Sequence, residues 1–297
     1  MKVIKAQVLG FCMGVRRAVD LTIAEAQRAA KKNTPVYTLG ELIHNPKVLG
    51  DLSALGVSAV KELPENCGYC SVVIRAHGID PAAEKSLREK DCHIVDATCP
   101  NVKVSQLTAE EFIRAGYCLF IAGETSHAEI IGIMGYAVAA EEGKRNSPFF
   151  CEVIGNVKEA GKAAKKLYSI NNNAKTALLG QTTISEKEYD EIGEAVRLFF
   201  PNLEIIQTIC SATKERQNAL RELLEKADAV IIAGGKESAN TQHLLVIAKE
   251  SGKPCALAED SSQIPKEFLK YETIGLCAGA STPDSIIEEI EDFLGNF

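Results

Sequence analysis

Short β-branched runs alternate along this chain with longer runs in which apolar residues recur every three or four positions. Residues 2–10, KVIKAQVLG, read as a strand. Residues 15–33, VRRAVDLTIAEAQRAAKKN, read as a helix whose apolar face carries Val15, Ala18, Val19, Ile23, Ala26 and Ala30. Thr22 is the one polar residue on that face, and Lys31 and Lys32 close the helix with the charge its dipole favours. The alternation continues through TPVYTLG (strand), HNPKVLGDLSALG (helix), CSVVIRAHG (strand), PAAEKSLREKD (helix) and CHIVDATC (strand). Further on, YCLFIAG, TALLG, LEIIQTIC, AVIIAGG and TIGLCAGA read as strands. Amphipathic runs such as SEKEYDEIGEAVRLFFPN and SATKERQNALRELLEKAD lie between them. Strands alternating with helices in this way predict an α/β protein with parallel sheets. No low-complexity segment interrupts the pattern; EEGKRNSP and NNNAK read as loops.

The pattern repeats. AQVLGFCMGVRRAV, IVDATCPNVKVSQL and IIQTICSATKERQNAL share one design: an apolar strand, a cysteine, then a helix. Each is followed by a second strand ending in glycine and polar residues (TLGELIHNPKVL, IAGETSHAEIIGI, IAGGKESANTQHL). A third comes after it (VIRAHGID, LLGQTTIS, CAGASTPD). The polar or soft residues therefore recur in phase as Cys12–His44–His77, Cys99–His127–Thr182 and Cys210–Asn240–Ser281. The expected architecture is three similar α/β units with parallel sheets around a pseudo-threefold axis and a central cavity. Their expected spans are 12–98, 99–195 and 196–297, the third completed by the N-terminal strand at 1–11. Ligands of parallel α/β units bind outside the carboxyl ends of the strands, where all nine residues fall.

Composition narrows the function. The 297 residues are 46% apolar and 25% charged, ordinary for a globular protein, and the net charge is −7. An acidic chain argues against nucleic acid or an anionic membrane surface as the main partner. No apolar run has the length of a membrane helix, and the N-terminus lacks the pattern of a signal peptide, so a cytoplasmic location is expected. There the ten cysteines are expected as thiols rather than disulfides. Aromatic residues are 6% and tryptophan is absent, which leaves little for stacking on bases.

Three cysteines from three units can hold zinc or an iron–sulfur cluster, or can be buried structural residues. Structural zinc usually takes four ligands at close spacing, whereas Cys12, Cys99 and Cys210 are far apart and no fourth cysteine shares their phase. A cubane cluster on three cysteines would leave one iron without a protein ligand, able to polarise a substrate oxygen and pass electrons. His44, His77, His127, Thr182, Ser238, Asn240 and Ser281 are donors that, with helix N-termini, suit a phosphate or diphosphate. Neither a GxGxxG nor a GxxxxGK[ST] loop occurs, which argues against the usual nucleotide sites. Glu129, two residues after His127, is either a proton donor or an acid that meets a helix dipole.

The joint motif set GFCMGVRRAV, HNPKVL, AHG, DATCPNV, SHAE, GQTTIS, IC.AT..RQ, S.N and AGAS.PD resembles the LytB-type 4-hydroxy-3-methylbut-2-enyl diphosphate reductases across essentially the whole chain. The resemblance implies a [4Fe–4S] cluster on Cys12, Cys99 and Cys210 with one iron not ligated by protein. It implies an allylic diphosphate substrate held by His44, His77, His127, Ser238, Asn240 and Ser281. Thr182 and Glu129 would stand near the substrate hydroxyl, with Glu129 supplying protons. Two electrons from ferredoxin or flavodoxin and two protons would remove that hydroxyl and give isopentenyl and dimethylallyl diphosphates. One departure touches the pocket: family members often carry two serines before the asparagine, whereas this chain has Ser238-Ala239-Asn240. Two other classes compete, a zinc-dependent hydrolase or lyase on a phosphorylated metabolite and an iron–sulfur electron carrier or sensor. The C-x-x-C at Cys67 and Cys70 precedes a strand rather than a helix, so a redox dithiol is disfavoured, and a loop or second metal site there is expected still less. Cys92, Cys118, Cys151, Cys255 and Cys277 are expected to be buried.

Overall fold

The computed structural model describes residues 1–64, 67, 69–90, 92–141 and 149–297. The expected loop at EEGKRNSP lies, from residue 142 onward, outside the described residues. The chain opens with β1 (Lys2–Lys5) and α1 (Met13–Ala30). A first group follows: β2 (Val36–Leu39), α2 (Pro46–Ala54), β3 (Val57–Val60), β4 (Ser71–Ile74), α3 (Pro81–Glu89) and β5 (His93–Asp96). A second comprises α4 (Pro100–Arg114), β6 (Cys118–Ala122), α5 (Ala128–Glu141), β7 (Cys151–Ile154), α6 (Val157–Ile170), β8 (Thr176–Gly180), α7 (Glu186–Arg197) and β9 (Glu204–Ile205). The last comprises α8 (Ser211–Lys226), β10 (Ala229–Ala233), α9 (Ala239–Glu250), β11 (Cys255–Ala258), β12 (Thr273–Ala278) and α10 (Asp284–Gly295).

The strands form three four-stranded parallel sheets, ordered β3-β2-β4-β5, β7-β6-β8-β9 and β11-β10-β12-β1. The order is the same in all three. The first strand is flanked by the second and third, and the fourth lies outside the third. In the third sheet the fourth place belongs to β1, which pairs with β12 from Lys2↔Thr273 to Lys5↔Leu276. These are three similar α/β units in the arrangement the repeat predicts.

Two expectations need correction. A boundary between 195 and 196 falls inside α7, and β9 pairs with β8, so the second sheet runs on to Ile205. The local pattern also misses one strand per sheet: β3, β7 and β11. Each is a four-residue edge strand with half-exposed positions.

Inner strands β4, β6, β8 and β10 are buried along their whole length, as parallel strands covered on both faces must be. Alternate side chains feed two cores. In the second sheet Phe120 and Leu178 face one, while Leu119, Ile121 and Leu179 face the other. Helix starts are encoded locally. Asn45, Asp80 and Ser185 cap α2, α3 and α7 with side-chain oxygens, and Pro46 and Pro81 occupy first-turn positions where a missing N–H costs nothing. Where units meet, the backbone comes close: a Cβ on Gly235 would lie 2.5 Å from the His44 carbonyl oxygen.

Because β1 is the outermost strand of the sheet that carries Ser281, removing residues 1–5 should destabilise the fold. Each inter-strand hydrogen bond contributes about 1 kcal/mol. The thermal midpoint, followed by circular dichroism, should fall by several degrees; an unchanged midpoint would show that the third sheet holds without its fourth strand.

Candidate active site

Each cysteine of the repeat follows the fourth strand of a sheet and caps the next helix. Cys12 stands at the N-cap of α1, Cys99 of α4 and Cys210 of α8. Each backbone amide is tied to the loop after the third strand of the same sheet. Cys12 donates to the Ala280 carbonyl at 3.1 Å, Cys99 to Ala76 at 2.9 Å and Cys210 to Thr182 at 3.0 Å. The three thiols are thus built in one way three times, each beside Ser281, His77 or Thr182. They line one cavity. Every residue singled out in the sequence lines it: the three cysteines, His44, His77 and His127, Glu129 and Thr182, and Ser238, Asn240 and Ser281.

The thiols touch across the units. The Asn101 amide donates to the Cys210 sulfur at 3.0 Å, and Val15 N–H donates to the Cys12 sulfur at 3.4 Å. A Cβ on Gly14 would lie 2.5 Å from the Cys99 sulfur, so only glycine lets the start of α1 come this near. Burial raises the Cys99 pKa, the amides of Asn101 and Val102 oppose that shift, and the neighbouring Cys12 and Cys210 add to it. The nitrogens of the three histidines all lie within 4.8 Å of one another. Three free thiols at helix N-termini around one cavity fit a thiophilic group such as an iron–sulfur cluster.

The histidines cluster, with ring centroids 4.8 Å (His44–His77), 5.3 Å (His77–His127) and 6.1 Å (His44–His127) apart. Burial pushes His77 well below its usual range, helped by His44, His127 and Arg75. Burial likewise lowers His127 to about 4, with His44 and Arg75 contributing. Nδ1 of His77 and Nδ2 of Asn240 are buried without partners, which leaves polar atoms free for a bound anion. Ser281 Oγ donates at 3.3 Å, within reach of both the His44 carbonyl and Ser238 Oγ, which caps α9. Glu129 is 2% exposed in the first turn of α5. Its carboxylate accepts from Thr182 N–H at 2.7 Å and from Thr182 Oγ at 2.8 Å. Burial raises its pKa to about 7 despite those two bonds.

A model of the LytB protein family matches residues 3–295. The chain belongs to the LytB family. LytB relatives named 4-hydroxy-3-methylbut-2-enyl diphosphate reductase include one from Treponema denticola, 41% identical over 98% of both chains. Another, from Aquifex aeolicus, is 36% identical over 97% of this chain and 94% of that one. Among solved structures, the E-1-hydroxy-2-methyl-but-2-enyl-4-diphosphate reductase of Plasmodium falciparum superposes with a TM-score of 0.87 at 26% identity, covering 98% of this chain and 87% of that one. A second, described as the terminal enzyme of the non-mevalonate pathway, gives 0.71 at 34% identity over the full length of both.

Two neighbours of the LytB site have no clear local signature. Arg75 adds positive charge beside His77 and His127, and its one trace in the sequence is a cation ending an otherwise apolar strand. Asn101 reads as an ordinary first-turn residue until its contact with Cys210, 109 positions away, is seen. Among the other cysteines, Cys118 and Cys277 are buried as expected, but Cys92, Cys151 and Cys255 are only half-buried.

Glu129 binds its proton more tightly in the folded chain, at about 7, than at the ordinary 4.5. Its contribution to stability is therefore complete below pH 4.5 and is lost as pH rises through about 7. Glu129→Gln removes that dependence. The difference in thermal midpoint, variant minus wild type, should grow between pH 5 and pH 8; a constant difference would contradict a carboxyl held protonated by burial.

Proposed function

We propose that this chain is a 4-hydroxy-3-methylbut-2-enyl diphosphate reductase. It removes the allylic hydroxyl with two electrons and two protons, releasing water and forming isopentenyl and dimethylallyl diphosphates. The observation that carries this reading is the meeting, in one cavity, of three thiols at helix N-termini, a histidine cluster and a buried protonatable carboxyl. The family membership and the names of the relatives support it.

Cys12, Cys99 and Cys210 would hold a [4Fe–4S] cluster with one iron not ligated by protein. When bound, such a cluster supplies single electrons and a Lewis-acidic iron for the leaving oxygen. The electrons would come from ferredoxin or flavodoxin. His44, His77, His127, Ser238, Asn240 and Ser281 would bind the diphosphate. His77 and His127, half-buried and held below the usual histidine range, are drawn toward protonation next to an arriving polyanion, since an opposite charge nearby favours the charged form. Arg75 adds fixed positive charge behind them. With Ala239 in place of a second serine, one hydroxyl donor is absent, and the N-terminus of α9 offers backbone N–H groups beside Ser238.

Glu129 would act as the local acid. Hydroxide is a poor leaving group, so the departing oxygen needs a proton, and a carboxyl whose pKa lies near 7 can hold and give one at neutral pH. The Thr182 hydroxyl and amide fix its orientation. Deep burial keeps bulk water away from a carbon skeleton that is to be protonated by the protein. The histidine trio, with nitrogens within 4.8 Å, could instead hold a zinc ion and serve a hydrolase. Anaerobic purification separates the two: brown protein with iron and sulfide supports the reductase, and colourless protein without iron defeats it.

Turnover of the hydroxymethylbutenyl diphosphate with a strong one-electron donor in the absence of oxygen should yield both isoprenyl diphosphates; no product would overturn the proposal. Glu129→Gln should keep the iron content and lose roughly 10²–10⁴-fold in kcat, the usual contribution of a positioned acid. Wild-type kcat/KM should fall as pH rises through about 7, where the carboxyl loses its proton, and the variant should show no such limb.

Cys99→Ser should lose the cluster. Gly14→Ala, which crowds the same sulfur, should lower iron and sulfide per chain while leaving the circular dichroism spectrum unchanged; full iron content in both variants would remove Cys99 as a ligand.

A further inference from the structure

Cys67 and Cys70 precede β4, and Cys92 precedes β5. Those two strand starts are neighbours: Ser71 is in register with His93, and His93 N–H donates to the Cys70 carbonyl at 2.9 Å. The pairing carries Cys92 to the C-x-x-C turn. The sulfurs of Cys70 and Cys92 are 3.3 Å apart, and those of Cys67, Cys70 and Cys92 all lie within 4.8 Å of one another. Around a single tetrahedral zinc the sulfurs would stand about 3.8 Å apart.

Cys67 and Cys70 are buried and Cys92 is half-buried, beside an apolar cluster that includes Leu63, Val72 and Leu87. Between the first two sits Tyr69, at φ +57° with its side chain exposed. The left-handed region is costly for a bulky residue, of order 1 kcal/mol or more. An exposed ring gains no burial to offset that cost. A shared ligand of the Cys67 and Cys70 sulfurs would offset that cost.

We propose that Cys67, Cys70 and Cys92 form a second metal site, which takes one thiophilic divalent cation of the Zn²⁺ class through three thiolates, with water as fourth ligand. Binding forms three metal–sulfur bonds and releases the three thiol protons to solvent, with no change of oxidation state. The site lies at the amino ends of β4 and β5. His77 and Cys99 follow the carboxyl ends of those strands, about 13 Å away along four residues of strand. The metal would therefore clamp together the two strands that deliver a histidine and a thiol to the cavity, without touching the reacting groups.

The test is Co²⁺ uptake by the full-length chain, prepared anaerobically, against Cys92→Ser. The cavity thiols contribute equally to both proteins, so the difference isolates the second site whether or not the cavity holds a cluster. Wild type should bind one more Co²⁺ per chain than the variant and show an additional thiolate-to-cobalt charge-transfer band. Equal uptake would overturn the proposal. So would a Cys70–Cys92 disulfide in the anaerobic protein, seen by mass spectrometry as the loss of two hydrogens across the linked peptides. If the variant loses its native circular dichroism, alkylation of wild type decides: Zn²⁺ should protect Cys67, Cys70 and Cys92 and leave Cys255 labelled as before. Identical labelling with and without Zn²⁺ would reject the site.

Discussion

The backbone hydrogen bond made by each capping cysteine governs the rest of the site. Cys12, Cys99 and Cys210 each end the run from a fourth strand, begin a helix, and donate their amide to the loop that follows the third strand. That one contact fixes a thiol at a helix N-terminus and sets it beside a polar residue of the neighbouring loop. Repeated in three sheets of identical strand order, it turns three local turns into one cavity. Parallel sheets make this possible, because all their carboxyl ends and helix N-termini face the same way.

Burial then gives the cavity two kinds of polar group. Glu129, enclosed and with its carboxyl group bonded to Thr182, holds its proton up to about pH 7. His77 and His127, half-buried and beside Arg75, are both shifted below the usual histidine range, His127 to about 4. The same desolvation therefore makes an acid that keeps its proton and bases that wait for a negative charge before taking one. A substrate that brings a diphosphate to one side and a hydroxyl to the other would meet both conditions. Gly14 and Gly235 let the units come close enough for the enclosure to exist, by the Cys99 sulfur and the His44 carbonyl.

The cysteines divide by place in the sheets. Those at the carboxyl ends stand around a shared cavity. Cys67, Cys70 and Cys92, at the amino ends of two adjacent strands, converge on a single point. Cys118 and Cys277 are packed within strands, as small apolar residues usually are.

The sequence by itself determined the strand–cysteine–helix repeat, the parallel α/β class and the residues at the strand ends, because each is written in a short window: a β-branched run, a cap, a 3.6-residue period. The start of α4 at Pro100, directly after Cys99, is legible in this way. Tertiary structure alone decided that β9 stays with the second unit and that short edge strands β3, β7 and β11 complete the sheets, whereas the place of β1 in the third unit was already expected from the repeat. It alone brought Asn101 to Cys210, Arg75 to the histidines and Cys92 to Cys67 and Cys70. Those facts depend on pairing and burial between residues far apart in the chain. No local pattern encodes how much water a carboxyl at position 129 keeps, or which sulfur lies across a strand boundary from another.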